Sequence, residues 1–197
     1  MREAEVRAAL HQTHFKEVCA TDPAGRVIDE LGIFQGVHII DVAVVTHQLH
    51  GYEIKSAADN LERLQKQQHN YNKVFDRLTL VADERHVEEA VKILPPWWGL
   101  IAVCRKQQDD VVLNEIWPAR LNFQVEADAL CQLLWRDEAL SILKERGLAK
   151  GLRTRSRRLM WKSLAQNLEL NELKAVVCRT LKARKCFRYG QLRSPLG

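Results

Sequence analysis

The sequence predicts an α/β protein: a mixed central sheet flanked by helices, followed by a C-terminal helical extension. Three observations carry this. Strand-length apolar runs alternate with helix-length amphipathic stretches as far as Pro118. Two of those runs, Ile39–Val45 and Leu49–Ile54, flank one short polar turn, as neighbouring strands do. From Val125 onward apolar residues recur at helical spacing and the strand pattern stops.

In chain order, Arg2–Phe15 carries Ala4, Val6, Ala9 and Leu10 among good helix formers, which predicts an amphipathic helix. Asp22-Pro23-Ala24-Gly25 is a turn signal. The short apolar run Val27–Leu31 contains Asp29 and Glu30 and leads through Gly32 and Gly36 into the strand pair. Ala58–Phe75 reads as a helix, with Leu61, Leu64, Gln68 and Tyr71 on one stripe and Asp59 as its N-cap. Leu78–Ala82 is a strand, and Glu84–Leu94 is a helix ended by Pro95-Pro96. Trp98–Cys104 and Val111–Trp117 form a strand pair joined by the polar turn Arg105–Asp110. Beyond Pro118, Val125–Gly147 is helical, with Ala127, Leu130, Leu133, Leu134, Leu140 and Leu143 apolar, a break at Asp137 and a stop at Gly147. The basic connector Gly147–Arg158 then leads to helices over Ser156–Asn167 and Asn171–Lys185. The organisation expected is a domain over residues 1–118 and a basic helical extension over 119–197.

Composition narrows the function classes. Hydrophobic residues at 46% and charged residues at 28% suit a soluble globular protein, and no apolar run approaches the ~20 residues that span a bilayer. No membrane partner is expected. Arg2, Glu3, Glu5 and Arg7 are unlike a signal peptide, and five cysteines without a C-x-x-C pair read as reduced thiols, so a cytoplasmic location is expected. The net charge of +5 is unevenly spread: residues 1–118 hold 13 basic and 18 acidic side chains, residues 119–197 hold 17 and 7. Such asymmetry points to a nucleic-acid partner. Docking of the basic tail on the acidic first part is the alternative.

The segment His38–Ser56 places Asp41, Glu53 and Lys55 inside apolar strands. Residues i and i+2 of a strand share a face, so Glu53 and Lys55 project together while Tyr52 and Ile54 face the other way. Burying such charges is costly, and a buried ion pair gives little stability over apolar replacements. Two acids and a lysine at strand centres are most simply explained by a metal and a charged substrate.

Asp41, eleven intervening residues, and Glu53-Ile54-Lys55 make the D…E-x-K pattern of the PD-(D/E)XK restriction-endonuclease-like superfamily. The surrounding text, V-I-D-E-L-G at Val27–Gly32, H-G-Y-E-I-K-S at His50–Ser56, D-N-L-E-R-L at Asp59–Leu64, F-D-R-L-T-L-V at Phe75–Val81, P-P-W-W-G-L at Pro95–Leu100 and L-L-W at Leu133–Trp135, resembles a little-characterised bacterial family of that superfamily known by a locus-tag name. The resemblance covers most of the chain. It implies a restriction-endonuclease-like core and a role in DNA defence or repair. The family places an arginine two residues before the first aspartate, where this chain has Ile39.

Phosphodiester cleavage needs an activated water, a cation beside the phosphorane and a proton source for the leaving oxygen. Mg²⁺ or Mn²⁺ is the cofactor expected, since a hard cation takes one or two carboxylates and keeps several waters. Asp41 and Glu53 are the carboxylate ligands, and the resemblance adds the Ile54 carbonyl. Lys55 orients the water or stabilises developing charge. The resemblance matches Glu30 to the superfamily's helix-borne acid, a ligand to a second ion or to a metal-bound water. Gln67 and Tyr71, one turn apart, point toward the same edge and are candidates for phosphate contact. Arg153, Arg155, Arg157 and Arg158 suit phosphates at a helix start. His11 and His14 share helical spacing without a third ligand, His47 and His50 border the turn, and Trp97 and Trp98 read as core. No phosphate-binding loop, dinucleotide fingerprint or nucleophile elbow occurs. The expectation is therefore a metal-dependent nuclease acting on DNA. The alternatives are a non-catalytic nucleic-acid-binding or partner-recruiting module on the same fold, and an enzyme acting on RNA. Either a homodimer or a partner protein is compatible with this sequence.

Overall fold

The computed structural model describes residues 1–20, 22–106 and 110–186, and of Glu17, Val18 and Cys19 the backbone alone. Its centre is one six-stranded mixed sheet in the order β1-β2-β3-β4-β5-β6. The amphipathic N-terminal stretch forms two helices rather than one, α1 (Glu3–Gln12) and α2 (His14–Ala20). They part at Thr13, whose hydroxyl donates back to the Ala9 carbonyl at 2.8 Å, a local bond that competes with helix continuation.

Strand β1 (Arg26–Ile33) pairs antiparallel with β2 (His38–Val45), from Arg26 opposite Val45 to Ile33 opposite His38. The run Val27–Leu31 is thus the middle of a full strand. The hairpin turns through Phe34, Gln35 and Gly36, all at positive φ (49°, 63° and 89°). Strand β3 (Leu49–Lys55) is antiparallel to β2, while β4 (Arg77–Asp83) and β5 (Gly99–Arg105) are parallel to their predecessors. Each parallel step needs a crossover. These are α3 (Leu64–Tyr71) and α4 (Val87–Ile93). Helix α3 begins five residues later than Asp59 because the Asp59 carboxylate caps a turn, accepting the Ser56 N–H at 2.7 Å and its hydroxyl at 2.6 Å. Strand β6 (Val111–Trp117) closes the sheet antiparallel to β5. Residues 107–109 of the turn before it lie outside the described residues.

The stretch Val125–Gly147 is divided into α5 (Ala127–Cys131) and α6 (Arg136–Glu145), broken ahead of Asp137 by the extended backbone of Trp135. Gly147 ends it with φ of 70°. Helices α7 (Arg157–Asn167) and α8 (Leu170–Ala183) follow. Residues 187–197 of the extension lie outside the described residues.

Two apolar layers sandwich the sheet. On one face Val6, Leu10 and Phe15 pack on Val42, Val44, Tyr52, Ile54 and Val81. On the other, Ile28, Ile40, Leu64, Tyr71 and Phe75 belong to a cluster that continues into Leu134, Leu143, Trp161 and Leu181. Burying each leucine contributes roughly 1.5–3 kcal/mol. Asp76 ties both parts to the sheet: its carboxylate accepts the Leu49 N–H at 2.9 Å and the Lys174 ammonium at 2.8 Å.

Gly99 opens β5 where the chain from β6 returns. A Cβ there would lie 2.7 Å from the Ala119 nitrogen and 2.8 Å from the Thr79 hydroxyl. Backbone cannot yield as a side-chain tip can, so Gly99→Ala should cost about 1–3 kcal/mol in urea unfolding. An unchanged midpoint and slope would show that this approach is not tight.

Candidate functional site

Strands β2 and β3 separate partway along their length. Paired residues run from Val45 opposite Leu49 to Val42 opposite Tyr52 and then stop, although β3 continues to Lys55. Backbone groups freed by this split need partners. The Ile54 N–H finds the Asp41 carboxylate, Oδ2 at 2.6 Å, and the Ile39 carbonyl accepts the Tyr71 hydroxyl at 2.7 Å. Side chains take over where the ladder ends.

Glu53 lies in this opening and is 2% exposed. Its Oε1 accepts the Lys55 ammonium at 2.7 Å and the Gln67 amide at 2.6 Å, while Oε2 is 3.0 Å from the Tyr71 hydroxyl. Strand alternation aims Glu53 and Lys55 the same way, and the four-residue helical step brings Gln67 and Tyr71 onto them. Burial, reinforced by the Glu53 charge, raises the Asp41 carboxyl to about 7 against the bond from Ile54. Burial and the Glu53 charge also raise the Tyr71 phenol, which keeps it a neutral donor. Because the Gln67 nitrogen faces Glu53, its Oε1 points elsewhere, and that oxygen is buried with no hydrogen-bond partner.

The structure thus gathers Asp41, Glu53, Lys55, Gln67 and Tyr71. The Ile54 backbone enters through its N–H, on the strand that also pairs with β4. Glu30 is exposed and takes no ion pair among the described residues. The β1–β2 register sets it opposite Asp41, but that is the one step between Arg26 and Ile33 where no pair forms, and Glu30 has φ of 56°. Among the described residues no group of three His, Cys, Asp or Glu side chains gathers as a metal site. The fit is to an ion held by two carboxylates and otherwise by water, a set that Mg²⁺ accepts. A cation there would offset the Asp41–Glu53 repulsion.

Sequence reasoning missed Arg7. From α1 its guanidinium donates to the Asp41 carbonyl at 2.8 Å and pairs with Glu3 and, at 3.4 Å, with Asp29. Only the α1 register, with Val6 and Leu10 buried, gave a signal that Arg7 sits beside the sheet. The Ile39 side chain is 46% exposed. His11 pairs with Asp29 at 2.9 Å and His14 with the Tyr52 hydroxyl at 3.1 Å, so they serve different partners. His50 projects with Tyr52, away from Glu53, and bonds the Thr79 hydroxyl at 2.8 Å; burial holds it down to about 3. His47 is exposed. Trp98 is fully buried and donates to Asn72 at 3.0 Å; Trp97 is partly buried against the same cluster. Arg153, Arg155 and Arg158 are exposed before and at the start of α7. Arg157 lies over the Trp161 ring at 4.5 Å and donates to the Gln35 side chain at 2.7 Å. Docking of tail on sheet accounts for Lys174 on Asp76 and Lys182 on Asp22, but not for these arginines. No described helix is long and apolar enough to cross a membrane.

The sequence profile of the family described as Bacteriophage P4 protein cII matches residues 1–192. Protein cII of Enterobacteria phage P4 is 24% identical over 184 residues, which cover 93% of this chain and 68% of that protein. Among solved structures, a protein of unknown function from Silicibacter pomeroyi aligns with 69% of this chain and 88% of its own, at 15% identity and a TM-score of 0.37.

A carboxyl raised from 3.8 to about 7 on folding contributes stability below pH 4 that is lost as pH rises to 7. The Asp41→Asn substitution keeps an acceptor for the Ile54 N–H without the charge. Thermal midpoints should therefore show this variant gaining on the wild type between pH 4 and 7 and holding that gain above. A difference that stays constant from pH 4 to 8 would contradict the buried carboxyl.

Proposed function

The chain belongs to the Bacteriophage P4 protein cII family, and we propose that it is a metal-dependent nuclease, with a restriction-endonuclease-like core, that hydrolyses phosphodiester bonds in DNA. The observation that carries this is the buried Glu53 carboxylate beside Asp41 at the β2–β3 split, with Lys55, Gln67 and Tyr71 on its oxygens. Buried ionisable groups gathered on neighbouring strands mark functional sites. For stability alone, apolar residues would serve as well.

In this reading Asp41 and Glu53 hold Mg²⁺ or Mn²⁺, which when bound supplies positive charge to the phosphorane oxygens and acidifies a water. Each remaining residue has a stated task. Tyr71 fixes Glu53 from the helix side and, through Ile39, fixes β2. The Gln67 amide is anchored on Glu53 and steadies that carboxylate, and the attacking water gives up its proton to solvent. That water's oxygen bonds to phosphorus as the bond to the leaving oxygen breaks, and a solvent water protonates the leaving oxygen. The Lys55 ammonium faces the growing negative charge, where a preorganised cation counts for most. Arg7 holds the main chain of Asp41.

Purified protein with Mg²⁺ or Mn²⁺ should cleave single- or double-stranded DNA, and EDTA should stop it. Asp41→Asn, Glu53→Gln and Lys55→Ala should each lower the rate by at least ~100-fold, a loss typical of removing one such group. Mn²⁺ should also raise the thermal midpoint of the wild type and leave Asp41→Asn unmoved. Cleavage that survives Asp41→Asn and EDTA would defeat the reading. Matched DNA and RNA strands decide the substrate.

A second reading, a non-catalytic nucleic-acid-binding or partner-recruiting module, draws on the Lys55 ammonium and Gln67 amide already bonded to Glu53. It requires salt-sensitive binding without cleavage, unaffected by Asp41→Asn.

A further inference from the structure

From Gly147 to Leu168 the chain has no acidic residue, and it carries Lys150, Arg153, Arg155, Arg157, Arg158 and Lys162. Lys144, just before this stretch, is exposed, as are Lys150, Arg153, Arg155 and Arg158. None of these five enters an ion pair among the described residues. Elsewhere in the extension, Arg146 is paired with Glu172 at 2.6 Å, Lys174 with Asp76, and Arg184 with Glu138 at 2.6 Å. Five exposed cations left side by side repel one another, and such a patch attracts a polyanion.

The segment that carries them is anchored. Ala149 is buried, and Leu148 and Leu152 pack on the core. The Leu148 N–H donates to the Leu143 carbonyl at 2.8 Å, and Arg136 reaches the Arg153 carbonyl at 2.6 Å. Lys144, Gly147, Lys150, Gly151, Arg153 and Thr154 line an open hollow. Gly147 and Gly151 hold φ of 70° and 74°, and a Cβ on either would meet nothing within 4 Å, so the backbone there is open to a close approach.

One contact relates this patch to the β2–β3 split. Arg157 donates to Gln35, at the tip of the hairpin whose second strand carries Asp41. From Gln35 to Asp41 the chain spans at most about 20 Å at strand rise.

We propose that the segment between α6 and α7, with the start of α7, is a phosphate-backbone clamp for a nucleic-acid strand, placed beyond the hairpin tip from the Asp41–Glu53 site. This rests on the nuclease reading for the position of the cut, and on the patch itself for binding. The preferred substrate is a polynucleotide, long enough to lie on the clamp and in the site at once.

The test is fluorescence anisotropy with labelled 20-nucleotide single strands and 20-base-pair duplexes in EDTA, from 50 to 300 mM KCl. The variant replaces Lys150, Arg153, Arg155 and Arg158 with Ser; a milder one, Arg155→Ser with Arg158→Ser, guards against a fold defect, with circular dichroism as the check on both. The fourfold variant should bind at least ~10-fold more weakly at 100 mM KCl, and its salt slope should fall by about 3, as four lost phosphate contacts require. The double variant should lose about half of that slope. Unchanged affinity and slope in folded variants would overturn the clamp, as would anionic vesicles that bind through these residues while oligonucleotides do not. Absence of cleavage alongside clamp-dependent binding would overturn the nuclease reading alone. If cleavage occurs, the fourfold variant should raise KM for a 20-mer by at least ~10-fold and leave that for a trinucleotide unchanged.

Discussion

The constraint on which the structure turns is the parting of β2 from β3 beyond Val42 and Tyr52. A sheet that opens leaves donors and acceptors without partners, and each would be costly in a buried place. Here the Asp41 carboxylate accepts the Ile54 N–H and the Tyr71 hydroxyl reaches the Ile39 carbonyl, so the opening is held by side chains. The same residues that keep the sheet from fraying therefore face the space it creates. That economy explains how ionisable groups can occupy the centre of an apolar sheet without wrecking it.

The electrostatics follow from this opening. Two carboxyl groups share a poorly solvated space, and burial is the largest influence on Asp41. Lys55 and Gln67 donate to one oxygen of Glu53, and the Asp41 carboxyl, buried beside that charge with a single backbone N–H on it, rises toward neutrality. Lys55 and Tyr71 differ in the same sense. One brings charge to Glu53, the other a dipole that burial keeps neutral.

Much of this was legible in the sequence because short-range periodicity governs it. Alternation along β3 puts Glu53 with Lys55, and a helical step puts Gln67 with Tyr71. What was not legible has causes outside simple periodicity. At Glu30 the backbone turns to positive φ, so the apolar residues of β1 run Ile28, then Leu31 and Ile33, and the period of two is broken in the middle of the strand. Asp59 spends its carboxylate on Ser56, so a good N-cap residue starts a turn instead of α3. Arg7 belongs to the opening through a contact 34 residues away in sequence, which no local pattern reports.

The apolar cluster that runs from Ile28 and Phe75 through to Trp161 and Leu181 has a consequence for how such a protein can change over time. Its helices do not sit beside the sheet as a detachable unit; they are the cover of one of its faces. A chain shortened at Pro118 would bare that face to water, and an unrelated helical segment grafted there would have to reproduce its relief. Exchange of whole modules by recombination is thereby disfavoured. Substitutions in the exposed turns, by contrast, leave the two layers together.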